Sequence, residues 1–201
     1  MKANQDTLIV LDDICLVPYR KEHVAKYHEW MLSQELRELT ASEPLSLEEE
    51  YEMQRKWQND DDKLTFIICA RQTSDTAPIP ILDQLRMVGD VNLFLKGSTE
   101  DEDFEAEAEI MIAEPSYRRK GIALLALQMM LSYATSPTAL SPLPVPPASL
   151  VVRIGESNLS SIRLFEKLGF VLTKKVEIFQ EVELRFRGNH EKWKRGSVVQ
   201  L

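Results

Sequence analysis

Two contrasting hydrophobic patterns lie next to each other in the middle of the chain. Between Ala106 and Ile112, apolar residues alternate with small or acidic ones, which is typical of a β-strand with one face against a core. From Ile122 to Ala134 nearly every residue is apolar, so a helix here would be buried on almost all sides. Pro115 and Ser116 stop the strand. The pattern therefore predicts a strand, a tight turn and a buried helix.

The same reasoning predicts most of the other elements. Ser46, followed three residues later by Glu49, is a capping box that begins a helix. Asn158 and Gly169 are typical of the start and the end of another helix. Short apolar runs predict strands, the last two of which could form a closing hairpin. The predicted strands are 14–17, 64–70, 87–95, 150–154, 171–176 and 178–186, and a further helix is predicted at 21–32.

Three segments have compositions that favour irregular structure. Residues 71–85 are rich in Thr, Ser, Asp and Pro and predict a loop. Residues 136–149 contain five prolines and predict a surface loop with polyproline character. Residues 188–201 predict a loosely held tail. We therefore expect a single domain over residues 1–187.

Composition narrows the classes of function. The 201 residues include 32 acids and 24 Lys or Arg, and this net charge of -8 argues against nucleic acid as a partner. No apolar run is long enough for a membrane span, and the first residues lack the apolar core of a signal peptide. Cys15 and Cys69 lie in apolar runs, which predicts buried free thiols and a reducing, cytoplasmic setting. No cysteine and histidine have the spacing of a metal site.

The basic turn between the central strand and helix has the features of an anion site. The first amides of a helix have no internal acceptors, and the helix dipole adds positive potential there. Gly121 allows close approach of the backbone, and Ala123 keeps the next turn uncrowded. Arg118, Arg119 and Lys120 add positive charge. The segment is neither a P-loop nor a dinucleotide-binding glycine motif, and phosphate is the expected guest.

This turn, R-R-K-G-I-A, resembles the [QR]-x-x-G-x-[GA] turn of the GCN5-related N-acetyltransferase (GNAT) superfamily. The segment N-L-S-S-I-R-L-F-E-K-L-G-F resembles the second conserved block of that superfamily. The resemblance implies an α/β (α+β) fold with a mixed, mostly antiparallel central sheet flanked by helices. It also implies acetyl-CoA as co-substrate and no metal. The implied cofactor contacts are Ile112, Ala113, Arg118, Arg119, Lys120, Gly121, Ile122, Ala123, Asn158, Ser161 and Phe165.

Within that resemblance each contact has an expected role. The turn grips the coenzyme A pyrophosphate, and Asn158 with its helix flanks the pantetheine arm. A backbone amide around Ile112 or Ala113 binds the thioester oxygen. Phe165 is a departure, because many relatives carry a tyrosine here whose hydroxyl is proposed to protonate the leaving thiolate. Phenylalanine has no proton to give.

Acidic and polar residues on neighbouring segments are candidates for handling the acceptor amine. Glu107 and Glu109 alternate on one face of the strand before the turn, and either could be the general base. The alternative is that they are solvent-exposed acids on an edge strand, because that arrangement would give the same sequence. Asp90 and Asn92 share a strand face that could look into the cleft. Glu43 lies in a loop that lines the acceptor channel in the superfamily, although a solvated loop acid is an equal alternative.

Longer segments resemble one branch of the superfamily, the N-acetyltransferase 9 family. They include L-V-P-Y, H-E-W-M, L-T-A-S-E-P-L, V-G-D-V-N-L-F-L and F-Q-E-V-E-L-R, and they span residues 16–185. This resemblance implies transfer to the N-terminal α-amine of a protein, with tubulin as the acceptor and a link to microtubule stability. Two alternatives stay open: a catalytically weak protein of this fold that binds and stabilises microtubules, and an acetyltransferase for small-molecule amines. His28, on the apolar side of its helix, is interpreted as structural.

Overall fold

The central feature of the fold is one mixed sheet. The computed structural model describes residues 2–71, 80 and 82–201. In this part of the chain the strands are β1 (Thr7–Leu11), β2 (Ile14–Pro18), β3 (Lys63–Ala70), β4 (Arg86–Lys96), β5 (Glu105–Ile112), β6 (Leu150–Gly155), β7 (Phe170–Val176), β8 (Glu181–Phe186) and β9 (Ser197–Gln200). Their order in the sheet is β7-β8-β6-β5-β4-β3-β2-β1-β9. β5 and β6 are parallel and the other neighbours are antiparallel, so the expected fold class is confirmed.

Helices cover both faces of this sheet. They are α1 (Val24–Met31), α2 (Gln34–Leu39), α3 (Leu47–Asn59), α4 (Ile122–Ala134) and α5 (Leu159–Leu168). On one face Tyr27 and Trp30 of α1 pack in a core with Ile67 of β3. On the other face Leu127 of α4 packs in a second core with Phe66 of β3. Neighbouring side chains of a strand point to opposite faces, so one strand contributes to both cores.

The helix starts agree with the sequence predictions. Ser46 Oγ accepts from the Glu49 amide at 3.3 Å, and Glu49 Oε2 accepts from the Ser46 amide at 2.7 Å, which completes the predicted capping box. At the end of α5, Gly169 has a φ of 98°, which most side chains avoid. The predicted start of α3 and the predicted end of α5 are thus confirmed.

The parallel strands β5 and β6 separate soon after they meet. In the described residues they pair at Ala106 with Leu150 and at Glu107 with Val151. β5 nevertheless continues to Ile112, while β6 continues to Gly155 by pairing with β8. The two strands therefore diverge and leave a cleft between them. The turn into α4 follows the end of β5, on one side of this cleft.

The C-terminal segment is ordered, and the prediction of a loosely held tail is wrong. β9 pairs antiparallel with β1, placing Gln200 opposite Thr7. Trp193 is only 5% exposed, and its Nε1 donates to the Leu168 carbonyl at 3.2 Å. Its ring packs on Phe186 with centroids 4.7 Å apart. A short strand and one aromatic residue are weak signals, but here they complete an open sheet edge and a core.

Other segments differ from prediction in smaller ways. β1 and α2 were not predicted. The proline-rich segment was predicted as a surface loop, yet Leu143 and Val145 are buried in the core, and the Val145 amide donates to the Ala134 carbonyl at 2.9 Å. Prolines remove amide donors but leave the apolar side chains between them free to pack. The loop predicted at residues 71–85 lies largely outside the described residues, and no helix among those described is long and apolar enough to cross a membrane.

Candidate functional site

The turn before α4 has a backbone shaped for an anion. Gly121 is the N-cap of α4 with a φ of 80°, and Arg119 also has a positive φ, 61°. A Cβ at Gly121 would meet no atom within 4 Å, so the turn is open on that side. The amides of Ile122 and Ala123 lie in the first helical turn, where no helical acceptor exists. Such a run of free amides at a helix N-terminus suits a phosphate or pyrophosphate group.

The three basic side chains of the turn are placed differently from one another. Arg119 and Lys120 are exposed, and Lys120 Nζ lies 5.4 Å from the centroid of the Tyr117 ring. The Arg118 guanidinium is held by the protein: Nε donates to the Ile112 carbonyl at 3.0 Å, and Nη1 lies 3.2 Å from Glu35 Oε1 of α2. We therefore expect Arg119 and Lys120 to contact a phosphate directly, whereas the Arg118 side chain fixes the turn to β5.

The start of α5 provides the second predicted contact region. Asn158 Oδ1 accepts from the Ser161 amide at 3.1 Å, so the two residues form the helix cap. They follow β6 and therefore lie on the other side of the cleft from the turn. Phe165 is 1% exposed and meets Phe170 edge-on, with ring centroids 5.2 Å apart. Its ring belongs to the core in this structure, contrary to its expected place in the cofactor site.

The end of β5 is where the thioester was expected. The Ala113 amide donates to the Val88 carbonyl at 2.9 Å, and the Glu114 amide approaches the same oxygen at 3.2 Å. An amide already engaged in this way is a poor oxyanion donor. Of the two predicted donors, Ile112 is thus the better candidate.

Comparison with known families identifies this combination of turn, cleft and capped helix. The family model described as the acetyltransferase (GNAT) domain matches residues 13–171. This chain belongs to the GNAT acetyltransferase family. Among individual relatives, alpha/beta-tubulin-N-acetyltransferase 9 of Drosophila melanogaster is 47% identical over 184 residues, which are 92% of this chain and 88% of the relative. The Mus musculus protein of the same name is 46% identical over 185 residues, 92% and 73% respectively.

Solved structures show the same fold. A ribosomal L7/L12 alpha-N-protein acetyltransferase in complex with coenzyme A superposes with a TM-score of 0.67 at 14% identity, covering 89% of this chain and 96% of that chain. The predicted resemblance to the N-acetyltransferase 9 family is confirmed by the relatives above. GNAT proteins use acetyl-CoA, and the free amides of the turn together with the cleft fit that cofactor.

On the acceptor side of this GNAT site, the two predicted acids have different surroundings. The Glu107 carboxylate is buried, and its Oε2 is bound by Arg153 Nη1 at 2.7 Å and by Lys96 Nζ. Because these two cations occupy its carboxylate, Glu107 is poorly placed to accept a proton from an amine. Glu109 is exposed, yet the surrounding protein removes much of its hydration. That desolvation, with the charges of Glu107 and Asp90 nearby, raises the pKa of Glu109 to about 7. Glu109 is the better candidate for the base.

Asp90 and Asn92 lie together on one face of β4, as predicted. Asn92 Nδ2 donates to Asp90 Oδ2 at 2.6 Å, and both residues are at least nine-tenths buried. Asn92 is directly opposite Glu109 in the ladder between β4 and β5. Burial raises the pKa of Asp90 to about 7, although the bond from Asn92 acts in the other direction. The pair is thus beside the base candidate and beneath the helices of the acceptor side.

One further residue of this region, Glu50, was missed by the sequence analysis. Glu50 of α3 is 2% exposed, and burial raises its pKa to about 7. Its Oε1 lies 3.9 Å from His28 Nδ1 of α1. Glu50 lies four residues before Gln54, so the two side chains share one face of α3, the face that is buried against the sheet. Gln54 donates to the Tyr19 carbonyl at 3.1 Å. This spacing was the signal in the sequence that could have revealed Glu50.

Glu43 remains apart from these residues. It is exposed in the loop between α2 and α3, and none of the described contacts joins it to Asp90, Asn92 or Glu109. No group of three or more His, Cys, Asp or Glu among the described residues could hold a metal ion.

Proposed function

We propose that this GNAT acetyltransferase transfers the acetyl group of acetyl-CoA to the N-terminal α-amine of a protein, and that tubulin is its acceptor. The observation that carries the proposal is the 46–47% identity, over 92% of the chain, to relatives named alpha/beta-tubulin-N-acetyltransferase 9. We propose the cytoplasm as its site of action, in keeping with a chain that has only two cysteines, both in apolar runs.

The site supplies the groups that this chemistry needs. Free amides at Ile122 and Ala123, with Arg119 and Lys120, would hold the pyrophosphate of acetyl-CoA at one side of the cleft. Bound there, the cofactor supplies an activated acetyl group as a thioester. Glu109 would take the proton of the acceptor ammonium, so that the neutral nitrogen can attack.

The strength of this base favours an α-amine as the acceptor. An α-amine has a pKa of about 7.7–8.0 and a lysine side chain about 10.4. A carboxylate with a pKa raised to about 7 can deprotonate the first far more readily than the second. The leaving thiolate must take its proton from solvent, because Phe165 has none to give.

Mass spectrometry of acetyl transfer tests the proposal. The substrates are peptides with the N-terminal sequences of α- and β-tubulin, the same peptides with a blocked N-terminus and an internal lysine, and a polyamine. We expect transfer to the free α-amine peptides with at least about tenfold preference. Equal or faster transfer to lysine or to the polyamine would overturn the assignment of the acceptor.

A second candidate function is favoured by Phe165. Without a hydroxyl there, turnover could be secondary to binding, and the protein would act by docking on microtubules. Co-sedimentation with microtubules separates the two functions when wild type is compared with Gly121→Glu, which places bulk and negative charge in the anion turn. If binding is the function, the variant sediments as the wild type does, provided that its melting temperature shows it is folded. Loss of sedimentation in a folded variant contradicts this second candidate.

A further inference from the structure

A cluster of buried polar side chains lies between the acceptor-side helices and the sheet. Six of its atoms have neither a hydrogen-bond partner nor solvent contact in the part of the chain that the structure describes. They are Tyr19 OH, His28 Nδ1, Glu50 Oε2, Thr65 Oγ1, Asp90 Oδ1 and Asn92 Oδ1. Buried polar atoms are nearly always paired, because each unpaired one costs about 1–3 kcal/mol. Such a concentration in one place indicates a function that outweighs the cost.

Several groups of this region act together on Tyr27 of α1. The buried Tyr27 has its pKa raised well above its ordinary value, by burial first and then by the charges of Asp90, Tyr19, Glu50 and Glu109. These groups come from α3, β4, β5 and the segment after β2, so they converge on one place. Glu109 is the member of the group that solvent reaches.

The cluster is acidic, and among the described residues no Lys or Arg shifts the pKa of Glu50 or Asp90. Two lysines act on Glu109, but Lys96 is paired with Glu107 and Lys63 lies 3.6 Å from Asp60. The other groups that face Glu50 and Asp90 are Tyr19, Tyr27, Asn92, Thr65 and His28. Apart from the histidine, none of these carries positive charge at any pH. A buried acid pair of this kind is stabilised by a cation that arrives from outside.

We propose that Glu50 and Asp90 are positioning residues that attract the acceptor in its ammonium form and hold it at Glu109. This inference rests on the proposed function, because it concerns the same acceptor amine. Both carboxyl groups act through a poorly hydrated interior, in which charges interact over longer distances than in water. The ammonium would contact Glu109, and its proton would pass to the Glu109 carboxylate, leaving a neutral amine and a neutral carboxyl group. This role accounts for Glu50 Oε2 and Asp90 Oδ1, which have no hydrogen-bond partner among the described residues.

Binding without chemistry tests this role. The probe is a short peptide with a free α-amine, titrated calorimetrically into the complex with coenzyme A, which has no acetyl group to transfer. The comparison peptide is identical except that its α-amine is acetylated. The variants are Glu50→Gln and Asp90→Asn, and Glu52→Gln is the control, since Glu52 is on the same helix but 72% exposed.

We expect the wild type and Glu52→Gln to bind the free-amine peptide at least about tenfold more tightly than the acetylated one. We expect Glu50→Gln and Asp90→Asn each to reduce that preference by at least about fivefold. Between pH 6 and about 7.5 the preference of the wild type should rise as the cluster ionises, and above pH 8 it should fall as the α-amine loses its proton, whereas the two variants should show a flatter rise. A merely structural role would not change the pH profile of a folded variant.

Several outcomes would overturn the inference. One is that the wild type binds the two peptides equally or binds neither. Another is that both folded variants keep the wild-type preference for the free-amine peptide. Acetyl transfer measured on the same proteins separates this inference from the proposed function. Transfer to the α-amine with a preference independent of Glu50 and Asp90 refutes the inference alone. A charge-dependent preference without any transfer refutes the proposed function alone.

Discussion

Asp90→Asn should stabilise the protein at alkaline pH, and the structure gives the size of the effect. Asp90 is 2% exposed, and burial raises the pKa from its ordinary value of 3.8 to about 7. A difference of about three pH units corresponds to roughly 4 kcal/mol at 1.36 kcal/mol per unit, which is an upper limit for the cost of ionising Asp90 in the folded protein. An asparagine has no charge to bury, and its amide could donate to Asn92 Oδ1, which is unpaired among the described residues.

The sign of the pH dependence follows from proton binding. Between about pH 4 and pH 7 the native state keeps the Asp90 proton that the unfolded chain has lost, so stability falls as pH rises through this window. Above pH 7 the penalty is complete, and below pH 4 it is absent. We therefore expect Asp90→Asn to gain about 2–4 kcal/mol at pH 8 and nothing from this source at pH 4.

Chemical denaturation at a series of pH values measures this gain as a free energy of unfolding, and thermal denaturation measures it as a shift in Tm. For a protein of this size, about 2–4 kcal/mol corresponds to a rise in Tm of roughly 4–16 °C. Asp103→Asn is the matched control, because Asp103 is exposed to solvent. A gain at pH 8 no larger than that of the control, or a gain of the same size at pH 4, would refute the reasoning.

Three further predictions concern the cofactor, the base and the C-terminal segment. Gly121→Glu should abolish the stabilisation of about 2.7 kcal/mol given by acetyl-CoA at 100 times its Kd. Gly97→Glu, at another glycine with a positive φ, should retain it. Equal shifts of Tm on adding acetyl-CoA in the two variants would contradict this prediction. Glu109→Gln should lower kcat/KM at pH 7 by about 10²–10⁴-fold, with a smaller loss near pH 8, while Glu107→Gln should lose less activity than Glu109→Gln; the reverse order in pH-rate profiles would reassign the base. Trp193→Ala should lower the free energy of unfolding by about 3–5 kcal/mol in urea denaturation, and Trp193→Phe by about 1–2 kcal/mol; no loss in Trp193→Ala would mean that the segment is not packed.

Elements defined by local chemistry could be predicted from the sequence. The capping box at Ser46 and the stop at Gly169 depend on a few neighbouring residues, and the structure shows both. β9 could not be predicted, because four residues of modest hydrophobicity form a strand only when the edge of β1 is available. The burial of Val145 was missed for the same reason, since it depends on the distant core that the loop covers.

The cofactor side of the site was more predictable than the acceptor side. The anion turn is contiguous in sequence, so Gly121 and its neighbours could be matched to the turn of the GNAT superfamily once the second conserved block supported the resemblance. The acceptor side is assembled from α1, α3, β4 and β5, which are distant in the chain. The sequence alone does not show which of Glu107 and Glu109 is available as the base. Arg153, which lies 46 residues after Glu107, neutralises it and leaves the other acid available.

The contrast between these acids suggests how the sheet divides its charges. Arg153 and Arg185 hold Glu105, Glu107 and Glu183 in a network across β5, β6 and β8. This network ends before Glu109, the next position on the same face of β5, where β5 and β6 have already separated. Beyond that point Asp90 is buried and Glu109 is desolvated, neither has an arginine partner among the described residues, and their pKa values rise, whereas that of Glu105 falls. An arginine beside Glu109 would keep its carboxylate ionised but too weak a base, and it would repel an ammonium ion. The separation of β5 and β6 therefore does two things at once, since it opens the cleft for the cofactor and takes the arginines of β6 and β8 away from the acceptor amine.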